Sequence, residues 1–216
     1  MISLRFGLIA SLLVLAASPA RAQEPRLAGR VPDPARAQVD AILIAARTRG
    51  LPIEPLVDRA LEGAAKGAPA ATIVAAVTRL RDELVLVRGA FGEAASTAEL
   101  TAGTSALRAG ATVEALTRLR RLRPGQPLTV AAAVMADLVA AGVPADTAVG
   151  AVLALAHDAD DADYIAFRRN VQRDIDLGAS PAAALAVRIR FATEALDAAP
   201  NAPNSGGTGA IRKRKP

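Results

Sequence analysis

The stretch VAAAVMADLVAAGVPADTAVGAVLALA, residues 130–156, decides the fold. It is long and apolar enough to suggest a membrane span, which needs roughly 20 consecutive apolar residues. Two features point elsewhere. Asp137 and Asp146 place carboxylates inside it, and Gly142–Pro144 breaks it near the middle. Each remaining half is too short to cross a bilayer. Glycine can close a helix in the left-handed conformation, and a proline two residues later suits an early helical position that needs no amide donor. The stretch therefore reads as a buried helical hairpin. Alanine on facing helices allows close backbone approach, so such a core is compact without many aromatics.

The same joint recurs along the chain. It appears as GLPIEPL (50–56), GAPAATI (67–73), GATVEAL (110–116), GVPADTA (142–148) and GASPAAA (178–184). The form is glycine, an apolar residue, then Pro, Thr or Ser, and an apolar residue after three more. Thr112 and Ser180 are suited to cap the following helix. Leu51 can pack on Leu56 as a hydrophobic staple. The spacings of 17, 43, 32 and 36 residues are uneven, which indicates a reused joint and not a strict array.

Apolar residues elsewhere recur at three- and four-residue spacing, as in Tyr164, Phe167, Val171 and Ile175, and no run alternates as a strand would. The expected fold is all-α. About nine short helices pack as antiparallel hairpins in an irregular bundle or short solenoid-like array. The expected helices cover 35–49, 53–66, 70–88, 97–109, 113–122, 128–141, 145–157, 161–177 and 181–197. RGAFGEAAS (88–96) and RPGQP (123–127) read as the main loops, the second a candidate division within a helical domain spanning 35–197.

The two ends differ from this body. Residues 1–22, MISLRFGLIASLLVLAASPARA, have the layout of a secretory signal peptide. A basic start is followed by a short apolar run and a small-residue site for cleavage after Ala22. The expectation is a periplasmic or secreted protein with no transmembrane span after signal cleavage. Residues 23–34 are Pro-rich and read as extended. Residues 198–216, rich in Pro, Asn, Ser and Gly, read as a disordered basic tail. The chain has no cysteine, so neither disulfides nor lipid attachment at cysteine contributes.

Charge needs the same division. The chain carries 26 basic and 21 acidic residues. Arg5 and Arg21 belong to the leader, and Arg212, Lys213, Arg214 and Lys215 to the tail, which leaves 20 basic residues facing those 21 acidic ones. The sequence pI of about 10.6 thus reflects a tail and not a basic folded surface. Aromatics make up 2% of the chain. Single-strand nucleic-acid and sugar binders use aromatic platforms, so both classes are disfavoured, as is sequence-specific nucleic-acid binding.

Three clusters are candidate sites. HDADDADY (157–164) gathers His157, Asp158, Asp160, Asp161 and Asp163, a candidate weak cation site. A calcium loop starting at Asp158 fails, because Ala162, Asp163 and Arg169 occupy positions that need a ligand, a glycine and a glutamate. Catalytic zinc needs three protein ligands, and there is no second histidine. The structural alternative is that Asp158 or Asp160 caps the next helix while the other aspartates favour its positive end. TRLRRLRPG (117–125) places Arg118, Arg120, Arg121 and Arg123 at a helix end, where they offset the dipole or steer an acidic partner. The tail arginines and lysines, 212–215, offer weak, salt-sensitive contact with a polyanion or an anionic envelope surface. No nucleophile elbow, phosphate-binding glycine loop or dinucleotide fingerprint occurs. The expected function is an exported helical interaction or scaffold protein that binds another envelope protein, uses no cofactor and has no catalytic activity of its own. A cation-binding accessory protein and an envelope-tethering factor are the alternatives.

Overall fold

The computed structural model describes residues 24–198, so the leader (1–22) and all of the 198–216 tail but Ala198, which ends a helix, lie outside the described residues. Among the described residues there are nine α-helices and no strand. They are α1 (Asp33–Thr48), α2 (Glu54–Ala65), α3 (Ala70–Phe91), α4 (Thr97–Arg108), α5 (Val113–Leu122), α6 (Thr129–Ala140), α7 (Ala145–Leu155), α8 (Asp161–Asp176) and α9 (Pro181–Ala198). The apolar stretch 130–156 forms α6 and α7, and no described helix is long and apolar enough to cross a membrane.

All five expected joints close in one way. Gly50, Gly67, Gly110, Gly142 and Gly178 take positive φ. At Gly142 the glycine N–H donates to the Val139 carbonyl at 2.9 Å and the Val143 N–H to the Leu138 carbonyl at 3.0 Å. The other four joints repeat this pair of bonds. It is the Schellman closure, which satisfies carbonyls that the ending helix leaves open. Gly142 is at φ +92, where a side chain would strain the backbone.

The joints also set how helices stack. Helices α1, α3, α5, α7 and α9 pack on one another in turn, and α4, α6 and α8 form a second row. A Cβ at Gly110 would lie 2.9 Å from the Ala145 Cβ, and one at Gly142 would lie 3.2 Å from Pro181. In both cases the glycine meets the third residue after the next joint's glycine. The last three hairpins therefore repeat in register although their spacing in sequence is uneven. One continuous apolar core runs through both rows from Leu27 to Leu185.

Two stretches differ from expectation. Helix α3 continues through Arg88–Phe91 and stops at Gly92, φ +94. The buried Phe91 ring holds this turn against α4, where a Cβ on Gly103 would lie 2.8 Å from the ring and 2.5 Å from Val87. The Pro-rich start is packed and not extended: Pro25–Leu27 form a 3-10 turn, and Leu27 and Val31 are buried. The Glu24 N–H donates to Asp40 at 3.1 Å, and its carboxylate receives Arg26 at 2.7 Å and Arg47 at 3.1 Å.

Three glycine-to-alanine changes separate these roles in thermal or urea unfolding. Gly150→Ala, on an open helical surface with nothing near a new Cβ, gains about 0.5–1 kcal/mol from helix propensity. Gly142→Ala loses about 1–2 kcal/mol to left-handed strain. Gly103→Ala also loses stability, because the clash with Val87 and Phe91 costs about 1–3 kcal/mol. A gain at Gly142 or Gly103 would contradict the packing described.

Candidate functional site

The end of α5 sorts its arginines by helical phase. Leu116 and Leu119 are buried, and Arg118 and Arg121 face solvent. Arg120 is turned inward and partly buried, and Arg123 is buried. Arg120 Nη2 donates to Glu99 at 2.8 Å, and its Nη1 to the carbonyls of Arg123 at 3.2 Å and Gln126 at 2.8 Å. Its guanidinium sits 6.0 Å from the Phe91 ring centroid. Arg123 is only 2% exposed. Its Nη1 donates to the Ala159 carbonyl and its Nη2 to Asp161 at 3.4 Å, with the guanidinium 5.2 Å from the Tyr164 ring centroid. An arginine over an aromatic face gains cation–π attraction that partly offsets its lost hydration. Tyr164 is fully buried and donates its hydroxyl to the Val152 carbonyl at 2.9 Å. Burial pushes that hydroxyl up to about 12 against the opposing charge of Arg123.

Glu99 is the hub on the N-terminal side, and the site residues read from the sequence do not include it. It is 8% exposed. It receives the Ser96 N–H and hydroxyl, each at 2.9 Å, the Leu128 N–H at 3.0 Å and Arg120. Burial alone would raise its carboxyl, but the Ser96 and Leu128 hydrogen bonds and the Arg120 charge hold it below the ordinary value of 4.5. The signal was present as Ser96-x-x-Glu99, a capping box ahead of α4.

The acidic loop is built as a second capping box. Asp160 Oδ1 accepts the Asp163 N–H at 2.9 Å, and Asp163 Oδ2 accepts the Asp160 N–H at 2.9 Å. Asp161 turns to Arg123, while His157 is 81% exposed, its Nε2 3.9 Å from Asp158. The five candidate cation ligands thus point to separate tasks. Among the described residues no three of His, Cys, Asp or Glu converge as a group that could hold a metal ion. Asp158, Asp160 and Asp163 have no arginine or lysine within ion-pair distance among the described residues.

Beside this loop opens a cleft of about 510 Å³ between α8 and α9. Leu155, Ala166, Phe167, Phe191 and Leu196 form its apolar lining, and Asp158 and Asp163 stand at its edge. Phe191 is 49% exposed, with the Arg190 guanidinium, itself 3.7 Å from Glu194, 5.4 Å from its ring centroid. Arg188, also at the cleft, is neutralised by two 2.6 Å hydrogen bonds to Asp174. A smaller groove of about 330 Å³ lies between α2 and α4. Two of its arginines are paired, Arg59 with Glu62 at 2.9 Å and Arg108 with Glu83 at 2.7 Å, and Asp58 also lines it. No protein family, curated protein or solved structure matches this chain.

The four arginines should divide cleanly in chemical unfolding. Arg118→Ala and Arg121→Ala change stability by less than about 0.5 kcal/mol. Arg120→Ala and Arg123→Ala each lose about 2–3 kcal/mol, since each strands buried acceptors and loses ring contact. Equal effects at all four positions would refute the inward and outward assignment.

Glu99 also sets a pH dependence. Its folded-state pKa is depressed, so its stabilisation is complete above 4.5 and is lost as pH falls through the lower folded value. Unfolding free energy measured down a pH series should drop more steeply in the acid range for the parent chain than for Glu99→Gln. Parallel curves would show that the carboxylate carries no such linkage.

Proposed function

We propose that this chain is an exported helical interaction protein, without a reaction of its own, that receives a basic, apolar segment of an envelope partner in the α8–α9 cleft. The cleft carries the reading. It pairs an exposed apolar ring, Phe191, with a rim of carboxylates that lack cations. Interfaces concentrate their binding energy in such aromatic anchors, and matched charge steers the encounter. The signal-like leader supports export, with a mature chain starting at Gln23.

A photo-cross-linking residue placed at Phe191 in the full-length chain, expressed in its own cells, tests this directly. The expectation is one discrete adduct in the envelope fraction, absent when the same residue replaces the exposed Arg79 on α3. N-terminal sequencing of the adduct should begin at Gln23. No adduct at 191, or the same products from both positions, would reject the cleft as the partner site.

A further inference from the structure

We propose that the chain's own basic segment, Ile211–Lys215, docks in the α8–α9 cleft and covers it until a partner displaces it. This rests on the reading of that cleft as a docking surface. The cleft asks for an apolar anchor next to positive charge. Its lining is largely apolar, and Asp158 and Asp163 at its edge have no arginine or lysine within ion-pair distance among the described residues, whereas Arg188 is spent on Asp174. The tail supplies that combination: Ile211 is followed directly by Arg212, Lys213, Arg214 and Lys215, and no acidic residue follows Asp197.

The connection favours docking within one molecule. Helix α9 ends at Ala198, and Leu196 in its last turn lines the cleft, so the tail departs from the cleft wall. Residues 199–210, APNAPNSGGTGA, form a link rich in Gly, Ser, Asn and Pro. Gly/Ser-rich sequences of this length have a root-mean-square span of roughly 20 Å, and a helix with its side chains is about 10–12 Å across. The tail can therefore return over α8 without strain. Tethering at this range gives an effective concentration on the order of millimolar. A contact too weak to hold two separate molecules would then still keep the cleft largely covered. The rim is exposed, so the contact must weaken as salt is raised.

The chain contains no cysteine, which makes an introduced pair an unambiguous reporter. Asn170→Cys, in the cleft wall, is combined with Ala210→Cys in the otherwise complete exported chain. Intrachain disulfide formation is then followed at low protein concentration. Each rate is normalised to alkylation of the corresponding single-cysteine chain, because basic neighbours lower a thiol's pKa. The bridge should form about tenfold faster than in the same pair carrying Arg212, Lys213, Arg214 and Lys215 changed to Ser, and about 0.5 M salt should remove most of that difference. Equal normalised rates would overturn the proposal, and so would bridges that form only between chains. Photo-cross-linking at Phe191 is read separately in the serine variant. An adduct there with no rate difference removes the tail from the cleft and leaves the partner reading intact. A rate difference with no adduct supports tail docking and removes the partner.

Discussion

Two arginines three residues apart at the end of α5 connect everything before them to everything after. Arg120 reaches back to Phe91 on α3 and Glu99 on α4. Arg123 reaches forward to Ala159, Asp161 and Tyr164 around the start of α8. The Leu128 N–H, at the start of α6, closes the circuit on Glu99. Burying a guanidinium costs several kcal/mol unless it is paired and hydrogen-bonded. Here each one has a carboxylate, at least one backbone carbonyl and an aromatic face. The candidate division at 123–127 is thus bridged by polar contacts to both sides.

Around this staple the helices behave as stacked pairs. Each pair buries its apolar side on its neighbours, which leaves the ends of a stack to be covered by something else. At the N-terminal end Leu27 and Val31 fold in as a lid, anchored by Glu24, Asp40 and Arg47. At the other end α9 is the last described helix, and among the described residues no further hairpin lies over the α8–α9 cleft beside Phe191. The proposed binding surface is therefore a consequence of the architecture: it is the face of a repeating stack over which no further described hairpin packs. Of the carboxylates at its edge, Asp163 belongs to the capping box of α8, and with Asp158 it marks the cleft with negative charge.

Most of the fold was legible because its signals are local. A glycine followed by an apolar residue and then Pro, Thr or Ser specifies its own closure, and all five joints formed where that pattern stood. The capping of α8 by Asp160 was equally readable, since Asp160 and Asp163 lie three apart. Ser96 and Glu99 have that same spacing, so the hub at Glu99 was open to the same reading. What the sequence hid depends on neighbours. Arg118 and Arg121 differ from Arg120 and Arg123 only in helical phase, and which pair turns inward is set by where Phe91 and Tyr164 arrive from distant helices. The extra turn of α3 was hidden by Gly89, whose helix-breaking tendency is overridden by burial of Phe91. At the N-terminus the prolines suggested an extended chain, while Leu27 and Val31, four apart, held the packing signal. The cleft was not legible at all, because it arises from the spacing between α8 and α9 and not from any run of residues.

A stack of helical pairs held only by nearest-neighbour packing can open in parts. The central claim is that the α5 staple makes this one a single cooperative unit. Native-state hydrogen exchange under mild denaturant tests it most directly, comparing the amides of Leu84 in α3 and Val171 in α8. The account predicts that both open with the same free energy, equal to that of global unfolding. An opening free energy for Val171 several kcal/mol below that of Leu84 would show that the C-terminal hairpins unfold alone, and that Arg120 and Arg123 do not join the halves.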